Sequence, residues 1–235
     1  LVAIAIGLGI IGWVARDLRR LAAAAGRIGD GDLDTPVGLS RRDEIGELAR
    51  SFERMQARLR TDRLTGLANR EALTQQLARR IERVRADRRQ PRLGVLFIDL
   101  HRFTYINATL GPEAGDRVLQ ALAARLRRSV RSEDFVARYA GDEFVIVIDP
   151  IADRDALEHV RLHVEDVLAK PIAIDTAGTT DLTAGGAIGC ALFPEDGDNP
   201  ESLLRHADHA MYARKQRASA SVPSSDSVVR FPQRP

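Results

Sequence analysis

The 235-residue sequence predicts an α/β domain with a mainly antiparallel central sheet surrounded by helices, preceded by a long all-α segment. Three observations predict it. Residues 94–100, GVLFIDL, form an apolar run of strand length that delivers Asp99 near its end. Residues 134–148, DFVARYAGDEFVIVI, read as two strands flanking a short turn at Ala140-Gly141-Asp142. Upstream, residues 18–59 place apolar side chains at intervals of three and four. A hydrophobic content of 44% suffices for an ordinary core and excludes a chain disordered throughout. The 35 basic and 33 acidic residues are interspersed and nearly cancel, so there is no electrostatic footprint for nucleic acid. One cysteine, Cys190, excludes an internal disulfide framework and fits a reducing compartment.

Residues 1–15, LVAIAIGLGIIGWVA, carry no charge, and Trp13 stands where an interfacial aromatic belongs, just ahead of Arg16, Arg19 and Arg20. As a helix this stretch covers roughly 22 Å of a hydrocarbon core about 30 Å thick. It reads as the end of a membrane span whose start is missing, with a buried core helix as the alternative. A signal peptide fits less well, for want of a basic leader and a cleavage site. The arginines after it argue that the following domain is cytoplasmic.

The next stretch alternates between helix and connector. Leu18, Leu21, Ala25 and Ile28 keep helical spacing until Gly29-Asp30-Gly31 breaks it, and an extended connector runs through Pro36-Val37-Gly38. A second helix starts near Asp43-Glu44, and its Ile45, Leu48, Phe52, Met55 and Leu59 form a heptad stripe over two repeats. The stripe suits either a coiled-coil seam or a helix packed on its own domain. A helix leaving a membrane, a glycine-containing connector and then DEIGELARSFERMQARL together resemble the HAMP domain, over residues 16–60. The resemblance implies a parallel four-helix homodimeric relay, although Asp17 stands where many members have proline.

Immediately after comes DRLTGLANR, residues 62–70, in which Gly66 and Asn69 interrupt one helix before another begins at Glu71. Asp62, Leu64, Thr65, Gly66, Leu67, Asn69 and Arg70 resemble the N-terminal signature of GGDEF domains, and the likeness continues over residues 61–217. Residues 218–235, rich in Ser and Pro, read as a flexible tail.

Two stretches carry the chemistry. A carboxylate after a buried strand, such as Asp99, serves either as a helix cap or as a ligand. Turn chemistry accounts for Gly141-Asp142 but leaves Glu143 beside them unexplained. Hard divalent ions take one or two carboxylates plus substrate phosphates, so Asp99 with Asp142 or Glu143 is chemically apt. AGDEF, residues 140–144, matches the GGDEF hairpin, and Asp99 matches its first metal-binding aspartate.

This resemblance implies condensation of two GTP molecules into cyclic di-GMP with release of pyrophosphate, one GTP per domain in a homodimer. It implies that Asp99, the Leu100 carbonyl and Asp142 hold Mg²⁺, with Mn²⁺ as the alternative, and that Asp142 or Glu143 deprotonates the attacking 3′-hydroxyl. Asn107 and Asp116 match guanine-contacting positions, Lys215 a phosphate-binding lysine, and Gly141 joins the substrate contacts. Asn107 and Asp116 also suit turn caps in INATLGPEAGD. Arg131-Ser132-Glu133-Asp134, separated from Ala140 by five residues, matches the RxxD product-inhibition site for cyclic di-GMP, with Arg161 assisting. A solvated ion pair is the plainer reading of Arg131 and Asp134.

Four positions depart from the family pattern: His101 for Asp, Thr104 for Lys, Pro112 for His, and Ser219 for Arg. Ala140 replaces the first glycine, which costs about 1 kcal/mol at positive φ and almost nothing elsewhere. The pairs His159/His163 and His206/His209 have helical metal-ligand spacing without evident further ligands. Two functions therefore compete, an active cyclase and a degenerate module of low or no activity that binds cyclic di-GMP or GTP as a sensor.

Overall fold

The computed structural model describes residues 2–29, 38–39, 41–87, 91–175 and 179–221, and for residues 2–11, 14, 28–29, 174–175, 179–181 and 218–221 the backbone alone. The chain divides into two compact units, residues 1–61 and 62–235.

The first unit is a helix pair, α1 (Val2–Gly29) and α2 (Glu44–Arg60). Asp43 caps α2, its carboxylate accepting from the Gly46 amide at 3.1 Å. The heptad stripe divides. Ile45 and Phe52 pack with Leu21, Ala24, Leu39 and Ala49, whereas Leu48, Met55 and Leu59 are 43–45% exposed. Asp17, where the family has proline, is buried and paired with Arg41 at 2.7 Å, and Arg41 also binds Asp43 and lies 3.7 Å from the Trp13 ring centre. An acid is tolerated there because its charge is met. Among the described residues no helix is long and apolar enough to cross a membrane. Most side chains of the expected membrane segment, and the connector over residues 30–37, lie outside what is described.

The second unit is the expected α/β domain. Its sheet runs β2 (Phe135–Ala140), β3 (Glu143–Ile151), β1 (Arg92–Leu100), β6 (Gly186–Phe193), antiparallel throughout. A separate hairpin joins β4 (Ile172–Asp175) to β5 (Thr179–Leu182). Alternation along β1 sends Leu96 and Ile98 to one face and Val95 and Phe97 to the other. The first face is covered by α4 (Phe103–Leu110), α5 (Pro112–Ser129) and α6 (Arg154–Leu168), through side chains such as Ile106, Leu122 and Leu157. The second face is covered by α3 (Arg70–Ala86) and α7 (Pro200–Ser221), through Leu73, Leu77 and Met211. Burial on both faces explains why the central strands read as continuous apolar runs. Helix α7 continues to Ser221, four residues into the stretch expected as a tail, and residues 222–235 lie outside those described.

Candidate active site

Register and one close approach assemble the acidic cluster. Asp99, next to last in β1, lies opposite Glu143 of β3 on one side and Ala187 of β6 on the other. Asp142 sits in the two-residue turn between β2 and β3, and its carbonyl accepts from the Leu100 amide at 3.4 Å. Gly141 takes a φ of +43°, which suits a tight hairpin turn. Ala140 is not at positive φ: Arg102 is the only non-glycine residue there among those described, so alanine for glycine costs almost nothing. From the other face, Lys215 of α7 reaches Asp99 Oδ1 with Nζ at 2.5 Å. Gly189 permits this. A Cβ there would meet the Ala207 carbonyl at 2.0 Å and the Met211 amide at 2.2 Å, so the backbone of α7 lies directly on β6. Met211 and Lys215 are one helical turn apart on the same side of α7.

The electrostatics are those of crowded carboxylates. Burial and then the charge of Asp99 push the Asp142 carboxyl above its ordinary value, with Lys215 and Arg138 opposing. Burial pushes Glu143 up as well, followed by the charges of Asp99, Asp208 and Asp142. Burial also holds His101 below the ordinary imidazole value, and its Nε2 is buried without a hydrogen-bond partner among the described residues. Among those residues, no group of three or more His, Cys, Asp and Glu side chains is placed to hold a metal by itself, which includes both histidine pairs.

The N-cap of α4, the helix that follows Asp99, is Arg102, so Asp99 does not cap it; the N-cap of α5 is Gly111. The Asn107 side chain fills the space beside Gly115, its Oδ1 lying 1.9 Å from where a Cβ would stand. Asp116 is the next residue of α5 and is exposed. The α4–α5 junction thus sets Asn107 against the residue that precedes Asp116.

Arg131 and Asp134 lie elsewhere, at the turn leading into β2. Asp134 is 7% exposed and accepts from the Arg131 amide at 2.9 Å, while among the described residues no ion pair joins the two side chains. Arg127 donates to the carbonyls of Arg131, Ser132 and Asp134, and Arg80 donates to that of Glu133 at 2.6 Å. A cavity of about 850 Å³ opens beside this turn, bounded by Arg131, Asp134, Ile148, Pro150, His159 and His163 among others. Arg161 does not line it. That side chain is buried against the sheet and bound at 2.8 Å to both Glu158 and Glu165. His159 and His163 occupy the cavity wall because they flank Arg161 by two residues, on the opposite side of α6.

The residue that sequence reasoning missed is Arg138. It donates to the Gly141 carbonyl at 2.9 and 2.7 Å and to Asp62 at 3.0 Å, and Asp62 is fixed in turn by the Thr65 amide and hydroxyl at 2.9 and 2.7 Å. The Arg138 amide donates to the Ala68 carbonyl at 2.8 Å. The 62–69 segment therefore braces the acidic turn. A lone arginine inside an apolar strand was the available signal.

The Diguanylate cyclase, GGDEF domain family model matches residues 59–221. The chain belongs to the GGDEF family. A HAMP domain model matches residues 9–61, ahead of the GGDEF domain. The chain is 36% identical to the diguanylate cyclase TpbB of Pseudomonas aeruginosa, over 91% of its own length and 52% of that protein. It is 38% identical to the response regulator PleD of Caulobacter vibrioides, over 69% of its length and 35% of PleD. The chain thus spans about half or less of these relatives. Among solved structures, a sensory box/GGDEF family protein from Caulobacter crescentus aligns with a TM-score of 0.63 at 36% identity, covering 67% of this chain and 99% of that one. The GGDEF domain of TpbB aligns with a TM-score of 0.61 at 37% identity, covering 65% and 92%.

Proposed function

We propose that this chain is the output part of a membrane-linked homodimeric diguanylate cyclase, which condenses two GTP into cyclic di-GMP and pyrophosphate. The observation that carries the reading is the pairing of Asp99 with Glu143 across two strands, with Asp142 in the adjoining turn and Lys215 against Asp99. Membership of the GGDEF family and likeness to TpbB support the same activity. The HAMP domain supports a membrane-linked receptor with the GGDEF domain in the cytoplasm.

The donor set suits a hard divalent cation. Asp99, the Leu100 carbonyl and Asp142 offer two carboxylates and a carbonyl, and Mg²⁺ usually takes that few protein ligands and completes its shell with water and phosphate. Burial raises Asp142 and Glu143 first and the charge of Asp99 adds to it, and a bound cation offsets both effects. Mg²⁺, or Mn²⁺ in its place, would supply neutralisation of phosphate charge.

The residues of the chain do the rest. Asn107 and Asp116 orient guanine, whose Watson–Crick edge offers N1 and N2 donors and whose other edge offers N7 and O6 acceptors. Lys215 holds phosphate oxygens, and Gly141 lets the nucleotide approach the turn. Glu143 or Asp142 accepts the proton as a 3′-hydroxyl attacks the α-phosphate of the other nucleotide, and the bond to the β-phosphate breaks to release pyrophosphate. Each domain supplies one nucleotide, so two must meet. Leu48, Met55 and Leu59, exposed on α2, suit a seam with a second chain that raises the effective concentration of that encounter. Purified protein with GTP and Mg²⁺ should form cyclic di-GMP, and Asp142→Asn should not.

A second reading is favoured by the cavity beside Arg131 and Asp134 together with Thr104 at the family's lysine position: a module that binds cyclic di-GMP without making it. Titration calorimetry with cyclic di-GMP on wild type and Arg131→Ala tests that site, and unchanged affinity excludes it.

A further inference from the structure

Position 102 carries an arginine that the fold itself does not want. Arg102 has φ 57° and ψ 26°, the left-handed region, where an L-residue other than Gly, Asn or Asp is strained. It is the N-cap of α4, a place that favours Ser, Thr, Asp, Asn or Gly, and its side chain makes no cap hydrogen bond. The side chain is exposed, and among the described residues its guanidinium has no hydrogen-bond or ion-pair partner. Neither packing, capping nor pairing accounts for it, and strain retained without a structural return is characteristic of functional loops.

Its place explains it. Arg102 follows Asp99 by three residues, at most about 11 Å of chain, and closes the loop from β1 into α4 directly after the Leu100 carbonyl and His101. Carboxylates dominate this edge: Asp99, Asp142 and Glu143 face one ammonium, Lys215, which already contacts Asp99. A triphosphate arriving here needs more positive charge than Lys215 brings. The lysine of the family pattern is missing, with Thr104 in its place in the first turn of α4. Arg102, two residues upstream at the end of that loop, is a cation without a partner among the described residues, and a guanidinium binds phosphate oxygens through a planar fork of donors.

We infer that Arg102 is a phosphate-binding residue of the nucleotide site, supplying from the β1–α4 loop the charge absent at Thr104. The assignment rests on the proposal that the site takes GTP. Its ligand class is the polyphosphate of a purine nucleoside triphosphate.

The test is calorimetry on the purified 235-residue chain with Mg²⁺ and 3′-deoxy-GTP, which lacks the attacking hydroxyl and cannot turn over. Arg102→Ala should weaken binding by about ten- to a hundredfold. Arg102→Lys should retain most of the affinity, and adding Thr104→Lys to Arg102→Ala should restore it. Guanosine, which has no phosphate, should bind all variants alike. Arg102→Gly separates charge from folding, because it relieves the positive-φ strain: its thermal midpoint should exceed that of Arg102→Ala while its nucleotide affinity is equally low. Wild-type affinity for 3′-deoxy-GTP in Arg102→Ala, or a parallel loss for guanosine, overturns the assignment and leaves the GTP reading standing. A wild-type chain that binds no 3′-deoxy-GTP overturns both.

Discussion

The two units solve the burial problem differently. In the GGDEF domain the sheet is covered on both faces, and large side chains such as Phe144, Leu73 and Leu122 lie fully buried within one chain. In the helix pair Leu48, Met55 and Leu59 stay 43–45% exposed along one seam of α2. The first buries its core within one chain. The second leaves apolar surface that suits the seam with a second chain proposed above. The proposed reaction, which needs two nucleotides brought face to face, would be served by that division.

Substitutions at the acidic turn should have the largest effect, because they remove chemistry without touching either kind of burial. Glu143→Gln should lower turnover by about 10²–10⁴-fold, read from cyclic di-GMP formation, with thermal stability unchanged or raised by loss of a partly buried carboxylate and of its repulsion by Asp99. Next comes the core. Leu122→Ala should cost about 2–5 kcal/mol in denaturant unfolding of the GGDEF domain, whereas Leu48→Ala should stay within about 0.5 kcal/mol in chain diluted below its dimerisation midpoint. Comparable costs at the two leucines would break the contrast between the units. Leu48→Glu with Met55→Glu should instead move the dimerisation midpoint in analytical ultracentrifugation and raise the protein concentration at which turnover is half-maximal, leaving 3′-deoxy-GTP affinity intact.

The smallest effects are those of pH. Burial raises Asp62, but the Thr65 hydroxyl and amide and the Arg138 guanidinium outweigh it and hold the carboxyl below its ordinary value. A depressed carboxyl contributes stability that is present above about pH 4 and lost as pH falls through the folded-state value. Asp62→Asn should therefore flatten the acid limb of the stability curve. In the other unit the Arg41 side chain holds Asp43 at about 2. Carboxyl NMR titrations should order Asp43 and Asp62 below the ordinary range and Asp142 above it.

The fold and the acidic cluster were legible because they rest on local patterns: buried strands give apolar runs, and a hairpin tip gives Gly with acids. The position of Asp99 at a strand end was legible for the same reason, whereas its role as a metal ligand is what the family resemblance implies. What stayed hidden depends on contacts between distant segments. Arg138 braces the turn only because Asp62, 76 residues away in sequence, folds against β2. Gly189 matters only because α7 lies on it. Arg161 was expected to assist Arg131 and Asp134, yet the face of α6 turned to the cavity is decided by Leu157, Arg161 and Val164 being buried on the other. Helical phase and not residue type settled that position. Ala140 was undecidable from sequence because its cost depends on the sign of φ.

The most direct test of the central claim is product formation by the purified dimer. Incubated with GTP and Mg²⁺, the wild-type chain should yield cyclic di-GMP and pyrophosphate in a ratio of about one to two, as condensation of two triphosphates requires, and Asp142→Asn should yield neither. Absence of cyclic di-GMP at high concentrations of folded, GTP-binding wild-type protein would contradict the account.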